Sequence, residues 1–285
     1  MLTDDQSFSL LKRRILQDRG LDCEQYKENY LKRRIAVRVR ATGARDYLDY
    51  MRILRNDPEE YVKLLNELTI NVTQFFRDPD VYRKLRDNVI PDLLQAKRSL
   101  GSKSLRIWSA GCASGEEVYS MAMLVEHRLD IVREKDRWNL KVVGSDYDPG
   151  SLEVAKKGVY QGVEMLDDLR AEEFFDIERK GEDTVFKVKE ALRRRVRFEK
   201  INLLEEQAKT HFDMVLCRNV LIYFDRSVQK RMIASLSSSL AKDGYLVLGK
   251  SETLGAEAGQ SMTAAFPRER IYRLATGAGD RTRSR

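Results

Sequence analysis

LRIWSAGCASGEEVYSMA, residues 105–122, decides the fold. A short apolar run reaches Trp108 and Ser109. Small residues follow from Ala110 to Ser114, then Gly115, Glu116, Glu117 and an amphipathic helical pattern. A strand that leaves through a bare turn into a helix lets a ligand approach the backbone closely. The same texture continues downstream. KVVGSD (141–146) precedes a helical pattern around Leu152–Lys157. RVRFEKINL (195–203), FDMVLCRN (212–219), a helical stretch from about Asp225 to Leu240 and GYLVLGKS (244–251) then follow. Short strands alternating with helices predict an α/β domain, a parallel sheet wrapped by helices, over 105–276.

Upstream, residues 1–90 read as helices, punctuated at Gly20, Thr42-Gly43 and Asp57-Pro58, with Asp57 as N-cap and Pro58 at the first helical position. Residues 91–104, ending in the small polar run AKRSLGSKS (96–104), read as a linker. Residues 174–200 interrupt the alternation with short β-like pieces around Gly181 and predict a small antiparallel β insertion. The tail 277–285 is expected to be disordered.

With 285 residues, the chain has room for a large domain with a real core and a smaller one. No apolar run approaches the ~20 residues that cross a bilayer, and the N-terminus lacks a signal-peptide pattern. Three dispersed cysteines suggest reduced thiols and a cytoplasmic location. Two histidines give little basis for a His-centred metal site or catalytic triad. The net charge of +7 does not by itself imply nucleic acid, but its distribution is uneven. Between Leu31 and Arg55 eight Lys/Arg stand against Asp46 and Asp49. Leu31, Ile35 and Val39 form one helix stripe, while Lys32, Arg33, Arg34, Arg38 and Arg40 project from the other sides. They form either a solvated face or a docking surface for an acidic partner.

The turn after Trp108 is not GxxxxGK[ST], because Gly115 is followed by Glu, and GCASG is not GxGxxG. Two carboxylates beside it disfavour a polyphosphate and favour a ligand with hydroxyls, an amine or another positive centre. S-adenosylmethionine has all three. Asp146, at the tip of KVVGSD, either takes both ribose hydroxyls or caps the next helix; the glycine-bearing turn at Gly111 favours the ribose. Arg218 and Asn219 sit at the corresponding end of FDMVLC, followed by the aromatic pair Tyr223-Phe224. They either line the site or are solvated and packed, respectively.

Five blocks in order make the chain resemble the CheR chemotaxis receptor methyltransferases: TINVTQFFRD (69–78), WSAGCASGEEVYSMAM (108–123), GSDYDPGSLEVAKKGVY (144–160), INLL (201–204) with FDMVLCRNVLIYFD (212–225), and GYLVLGKSE (244–252). The resemblance implies a helical N-terminal domain, a Rossmann-like S-adenosylmethionine-binding domain and an inserted β subdomain. It implies methyl esterification of glutamates on chemoreceptor cytoplasmic helices, with S-adenosylhomocysteine as product. It places Asn71, Thr73 and Arg77 in a block closing over the cofactor, Glu117 and Asp146 as acidic ligands, and Asn202-Leu203 and Arg218-Asn219 as adenine and loop contacts. Arg77 and Tyr223 become the candidates for acting near the transferred methyl. Arg77 would position the incoming carboxylate; Tyr223 would donate to that carboxylate or pack on the cofactor. Some members grip a receptor tail with a Gly-x-Gly loop; ERKGEDTVF (178–186) has only Gly181, which counts against tail recruitment.

Three rivals share parts of this pattern. A nucleic-acid methyltransferase usually carries an Asn/Asp-Pro-Pro-aromatic motif where this chain has CRNVLIYF. A non-catalytic cofactor-binding regulator is disfavoured by intact ligand positions, and an NAD-dependent oxidoreductase by the glycine pattern. No nucleic acid partner and no direct membrane insertion are expected.

Overall fold

The computed structural model describes residues 3–69, 72–134, 137–181, 183–205, 211–255 and 262–274. Asn71 and the 277–285 tail lie outside the described residues. The chain divides into two compact units: residues 1–71 with 223–229, and residues 72–222 with 230–285.

The first unit holds α1 (Asp4–Arg19), α2 (Glu28–Thr42), α3 (Tyr47–Asn56) and α4 (Pro58–Leu68). Thr3 and Gln6 form a reciprocal capping box at the start of α1. Gly20 and Gly43 end α1 and α2 in the left-handed region, and Asp57 accepts the Glu59 and Glu60 N–H groups ahead of Pro58. These are the turns expected from sequence. Leu31 and Ile35 of α2 are buried, as the stripe requires, while Val39 is only half-buried. The segment after Ile222 packs here too: the Lys27 N–H donates to the Tyr223 carbonyl, and Tyr223 lies 4.8 Å from the Tyr30 ring.

The second unit opens with an irregular segment, 72–78, not with the continuous helix expected to 90. Phe76 and Asp78 adopt positive φ (51° and 60°), and helical structure restarts at Pro79. There α5 (Pro79–Lys84) runs through a π turn (Leu85–Val89) into α6 (Ile90–Ser99). The stretch read as a linker therefore begins within a helix, and only 100–103 connects. Next come β1 (Ser104–Ala110), α7 (Glu116–Ile131), β2 (Asn139–Asp146), α8 (Pro149–Lys157) and β3 (Val159–Gln161). They precede α9 (Ala171–Phe174), β4 (Phe175–Lys180), β5 (Asp183–Val188), α10 (Glu190–Arg193), β6 (Val196–Lys200) and β7 (Phe212–Cys217). The unit closes with α11 (Arg226–Ser238, whose first residues count with the first unit), β8 (Leu240–Leu248), β9 (Met262–Phe266) and β10 (Ile271–Leu274).

The main sheet has the order β6-β2-β1-β7-β8-β10-β9. Its first five strands are parallel, and β10 pairs antiparallel with both β8 and β9. A small antiparallel sheet, β3-β5-β4, is the inserted element. It differs from expectation at both ends. It recruits Val159–Gln161 upstream, and Val196–Lys200 belongs to the main sheet beside β2. Buried on both faces, β7 reads as a continuous apolar run except for Asp213, which accepts the Arg106 N–H. Chain order reverses between β1 and β7, which makes their carboxyl ends the switch point where open α/β sheets bind ligands.

Candidate functional site

The turn after β1 is built by glycine. Gly111 has φ 78°, and a Cβ there would sit 2.5 Å from Val220 Cγ2, so the loops after β1 and β7 approach as only glycine permits. The Gly111 and Cys112 N–H groups both donate to the Ser145 carbonyl (2.8 and 2.9 Å), which ties the turn to the end of β2. Gly115, at φ 93°, then admits α7, whose first turn carries Glu116 and Glu117, the charge sign its N-terminus favours.

Asp146 ends β2 in a nearly buried position. Oδ2 accepts the Ala113 N–H at 2.8 Å and Oδ1 the Asp148 N–H at 3.0 Å. Burial raises its pKa above the ordinary aspartate value, against the lowering effect of those N–H groups. Each oxygen keeps a lone pair, so the carboxylate can accept two further donors. It is not the cap of the next helix: Asp148 does that, accepting the Gly150 and Ser151 N–H groups. Asn202 and Leu203 follow β6, adjacent to β2, and the Ile201 N–H donates to the Asp146 carbonyl. The Asn202 side chain accepts the Leu204 N–H at 3.1 Å.

Arg218 is not a solvated arginine. Its side chain is 2% exposed, donating to Glu117 Oε2 (3.1 Å), Asp78 Oδ2 (2.7 Å) and the Arg77 carbonyl (2.8 Å). Burial alone would lower its pKa; Tyr82, Glu117 and Asp78 outweigh that and raise it. Glu117 Oε1 also accepts the Ser109 hydroxyl at 2.8 Å. Glu117 and Arg218 therefore form a buried clamp that fixes the 77–78 segment to the sheet. Phe76 keeps its unusual backbone because its ring is buried against Tyr82 and its N–H donates to Ser120 Oγ (3.1 Å).

Thr73 and Arg77 line a cleft of about 400 Å³ with Val72, Gln74, Asp78, Pro79 and Lys250. Arg77 donates to the Val72 carbonyl (2.9 Å) and pairs with no carboxylate among the described residues. Lys250 is held by Asp80 at 2.8 Å. Asn219 takes φ 60°, and its Oδ1 is buried without a hydrogen-bond partner. That orphaned acceptor, the spare lone pairs of Asp146 and the glycine-made turn fit a ligand that brings hydroxyl and amino donors to the switch point.

Sequence reasoning assigned no role to Ser109, Asp78, Tyr82 or Glu252, although Glu252 ends the block GYLVLGKSE; the roles of the last two come from contacts across the fold.

The basic residues of α2 divide within the first unit. Arg38 makes two bonds to buried Glu60 (3.0 and 2.6 Å), Arg34 pairs with Glu67 (2.8 Å) and Lys32 with Asp5 and Glu28 (2.9 and 2.8 Å). Arg33 and Arg40 are exposed and pair with no carboxylate among the described residues. The expected five-residue surface is thus, among the described residues, two unpaired cations beside three internally paired ones. The Glu60 carboxyl, despite burial that pushes it up, lies below its ordinary pKa because Arg38 and Tyr50 donate to it.

A sheet with five parallel strands, a glycine-made turn and a strand-tip acid at its switch point is compatible with an S-adenosylmethionine-dependent methyltransferase. Residues 71–268 match the SAM-binding domain of the CheR methyltransferases, and residues 6–69 match their all-alpha domain. The chain belongs to the CheR methyltransferase family, whose cofactor is S-adenosylmethionine. It is 32% identical over 254 residues to the chemotaxis protein methyltransferase of Escherichia coli K12, covering 87% of this chain and 84% of that one. It is 28% identical over 259 residues to that of Borreliella burgdorferi, covering 89% of each. A 104.1 kDa uncharacterized protein of Rhodobacter capsulatus is 37% identical over 232 residues, covering 80% of this chain but only 23% of that protein.

Proposed function

We propose that the protein transfers a methyl group from S-adenosylmethionine to glutamate side chains on the cytoplasmic helices of chemoreceptors, forming methyl esters, and that it acts in the cytoplasm. Relatives named as chemotaxis methyltransferases support the reading. So does the absence, among the described residues, of any helix long and apolar enough to cross a membrane. The observation that carries it is Arg77: a guanidinium facing a cleft without a carboxylate of its own suits a carboxylate acceptor.

When bound, the cofactor supplies a methyl group on a positively charged sulfur, to which a carboxylate oxygen can bond in line while the sulfur leaves as a neutral thioether. An acceptor glutamate, with a pKa near ~4.3, is already ionised at neutral pH. No general base is needed. The protein's contribution is orientation, which can supply roughly 7–11 kcal/mol. Asp146 would hold the ribose hydroxyls, Asn219 and Asn202-Leu203 the base side, and the Glu117–Arg218 clamp would keep the 72–78 segment over the site. Thr73, in that segment, and Asn71, outside the described residues, complete the cofactor-contacting set in this reading. Arg77 would hold the acceptor carboxylate loosely enough to leave it nucleophilic. Tyr223 would serve as a second donor or packing surface near the methyl. Arg33 and Arg40 would steer an acidic receptor helix toward α2.

The test is labelled methyl transfer to a receptor cytoplasmic fragment. The reading expects label in base-labile ester on glutamate, and label in amide, amine or nucleic acid would overturn it.

A further inference from the structure

We infer that Glu252 is a positioning residue for cofactor binding: its buried carboxylate holds the loop after β7 in the shape that presents Asn219 at the switch point. The inference rests on the assignment of that switch point as the cofactor site. Glu252 is 4% exposed and lies four residues past the end of β8. Its N–H donates to the Gly249 carbonyl (2.9 Å), which folds the side chain back over the strand ends. Oε2 accepts the Gly249 and Asn219 N–H groups at 2.6 and 3.0 Å. Oε1 accepts the Val220 and Leu221 N–H groups at 2.9 and 2.7 Å. One carboxylate therefore ties together the carboxyl ends of β7 and β8.

These donors have no ladder to join. The last β7 residue is Cys217, and the short turn Leu221–Tyr223 has only begun, so its first N–H groups would be orphaned. A buried donor left unpaired costs about 1–3 kcal/mol, and Glu252 satisfies several at once. It does so where Asn219 occupies the left-handed region and its Oδ1 has no partner. The contact is close: a Cβ on Gly249 would stand 2.7 Å from Glu252 Oε2 and 2.8 Å from the Asn219 nitrogen. Val220, in the same loop, is the residue that packs against Gly111 of the opposite ligand turn. Glu252 thus fixes both the orphaned acceptor and the wall of the site without reaching a ligand itself.

The test compares E252Q with D213N by calorimetric titration of S-adenosylhomocysteine and by thermal melting. Asp213 is an equally buried carboxylate of β7 that accepts the Arg106 N–H away from the ligand loops. Glutamine turns one acceptor into a donor facing other donors. E252Q should weaken binding at least tenfold, while D213N should lower the melting temperature and leave affinity within twofold. Equal loss of stability in both with unchanged affinity in E252Q would reduce Glu252 to a structural residue and overturn the inference. No binding to the wild-type protein would overturn the site assignment instead. If E252Q fails to fold, amide exchange in the wild type decides. The Asn219, Val220 and Leu221 amides should be protected before ligand is added. Protection that arises only with S-adenosylhomocysteine would show that Glu252 does not preset the loop.

Discussion

Asp146 commits one lone pair of each carboxylate oxygen to the backbone, and in the proposed function its remaining lone pairs take the ribose hydroxyls. D146A should therefore weaken S-adenosylmethionine binding at least tenfold by calorimetry while the circular dichroism spectrum is unchanged; equal affinity would remove Asp146 from the ribose. The sign of its pH dependence follows from burial. Only the ionised form accepts two hydroxyls, and its pKa is raised. Affinity for S-adenosylhomocysteine should thus fall as pH drops through a value above the ~3.9 of a free aspartate, and D146N should lose that dependence. Arg77 acts differently, since its guanidinium lines the cleft and pairs with no carboxylate among the described residues. R77A should lose most methyl transfer yet retain measurable cofactor binding. Near-normal turnover at saturating acceptor would show that it does not position the substrate.

At the scale of elements, the turn after β1 is the most constrained. G111A would place a methyl group into Val220 at a positive φ, a combination that should cost about 1–3 kcal/mol in thermal unfolding and weaken cofactor binding. This turn was legible in the sequence because its small residues stand between an apolar run and a helix period. Asp146 was legible for a similar reason, as an acid at a strand tip. Arg218 was misread in part. Two residues after a buried strand an arginine can be solvated, and only the fold brings Glu117 and Asp78 to it. The 72–78 segment was read as helix because its composition allows one; packing of Phe76, and Pro79, which disfavours helical backbone at Asp78, prevent it. The last two strands, β9 and β10, were not foreseen: five and four residues long, they carry too little alternation to read. Helix α2 was legible as a stripe, but not its ion pairs, whose acids lie up to 33 residues away.

Those pairs change what the whole molecule should do when its basic helix is altered. R38Q leaves Glu60 buried without its cation and should destabilise the protein by about 3 kcal/mol. Because the folded Glu60 pKa is lowered, the stability from this pair is present above the ordinary glutamate value and lost as pH falls through the folded one. R33E with R40E should not lower the melting temperature. If these two arginines steer an acidic receptor helix, the double variant should raise the apparent Michaelis constant for receptor and leave cofactor affinity unchanged. It should also lose the decline in activity that screening over ~8–10 Å imposes as salt rises. An unchanged Michaelis constant at two salt concentrations would make this face merely solvated. The most direct measurement of the central claim follows the methyl group itself. With labelled S-adenosylmethionine and a chemoreceptor cytoplasmic fragment, the label should appear on glutamate, be released as methanol by mild base, and be largely lost with R77A. Base-stable label, or none on the receptor while the cofactor binds, would contradict the account.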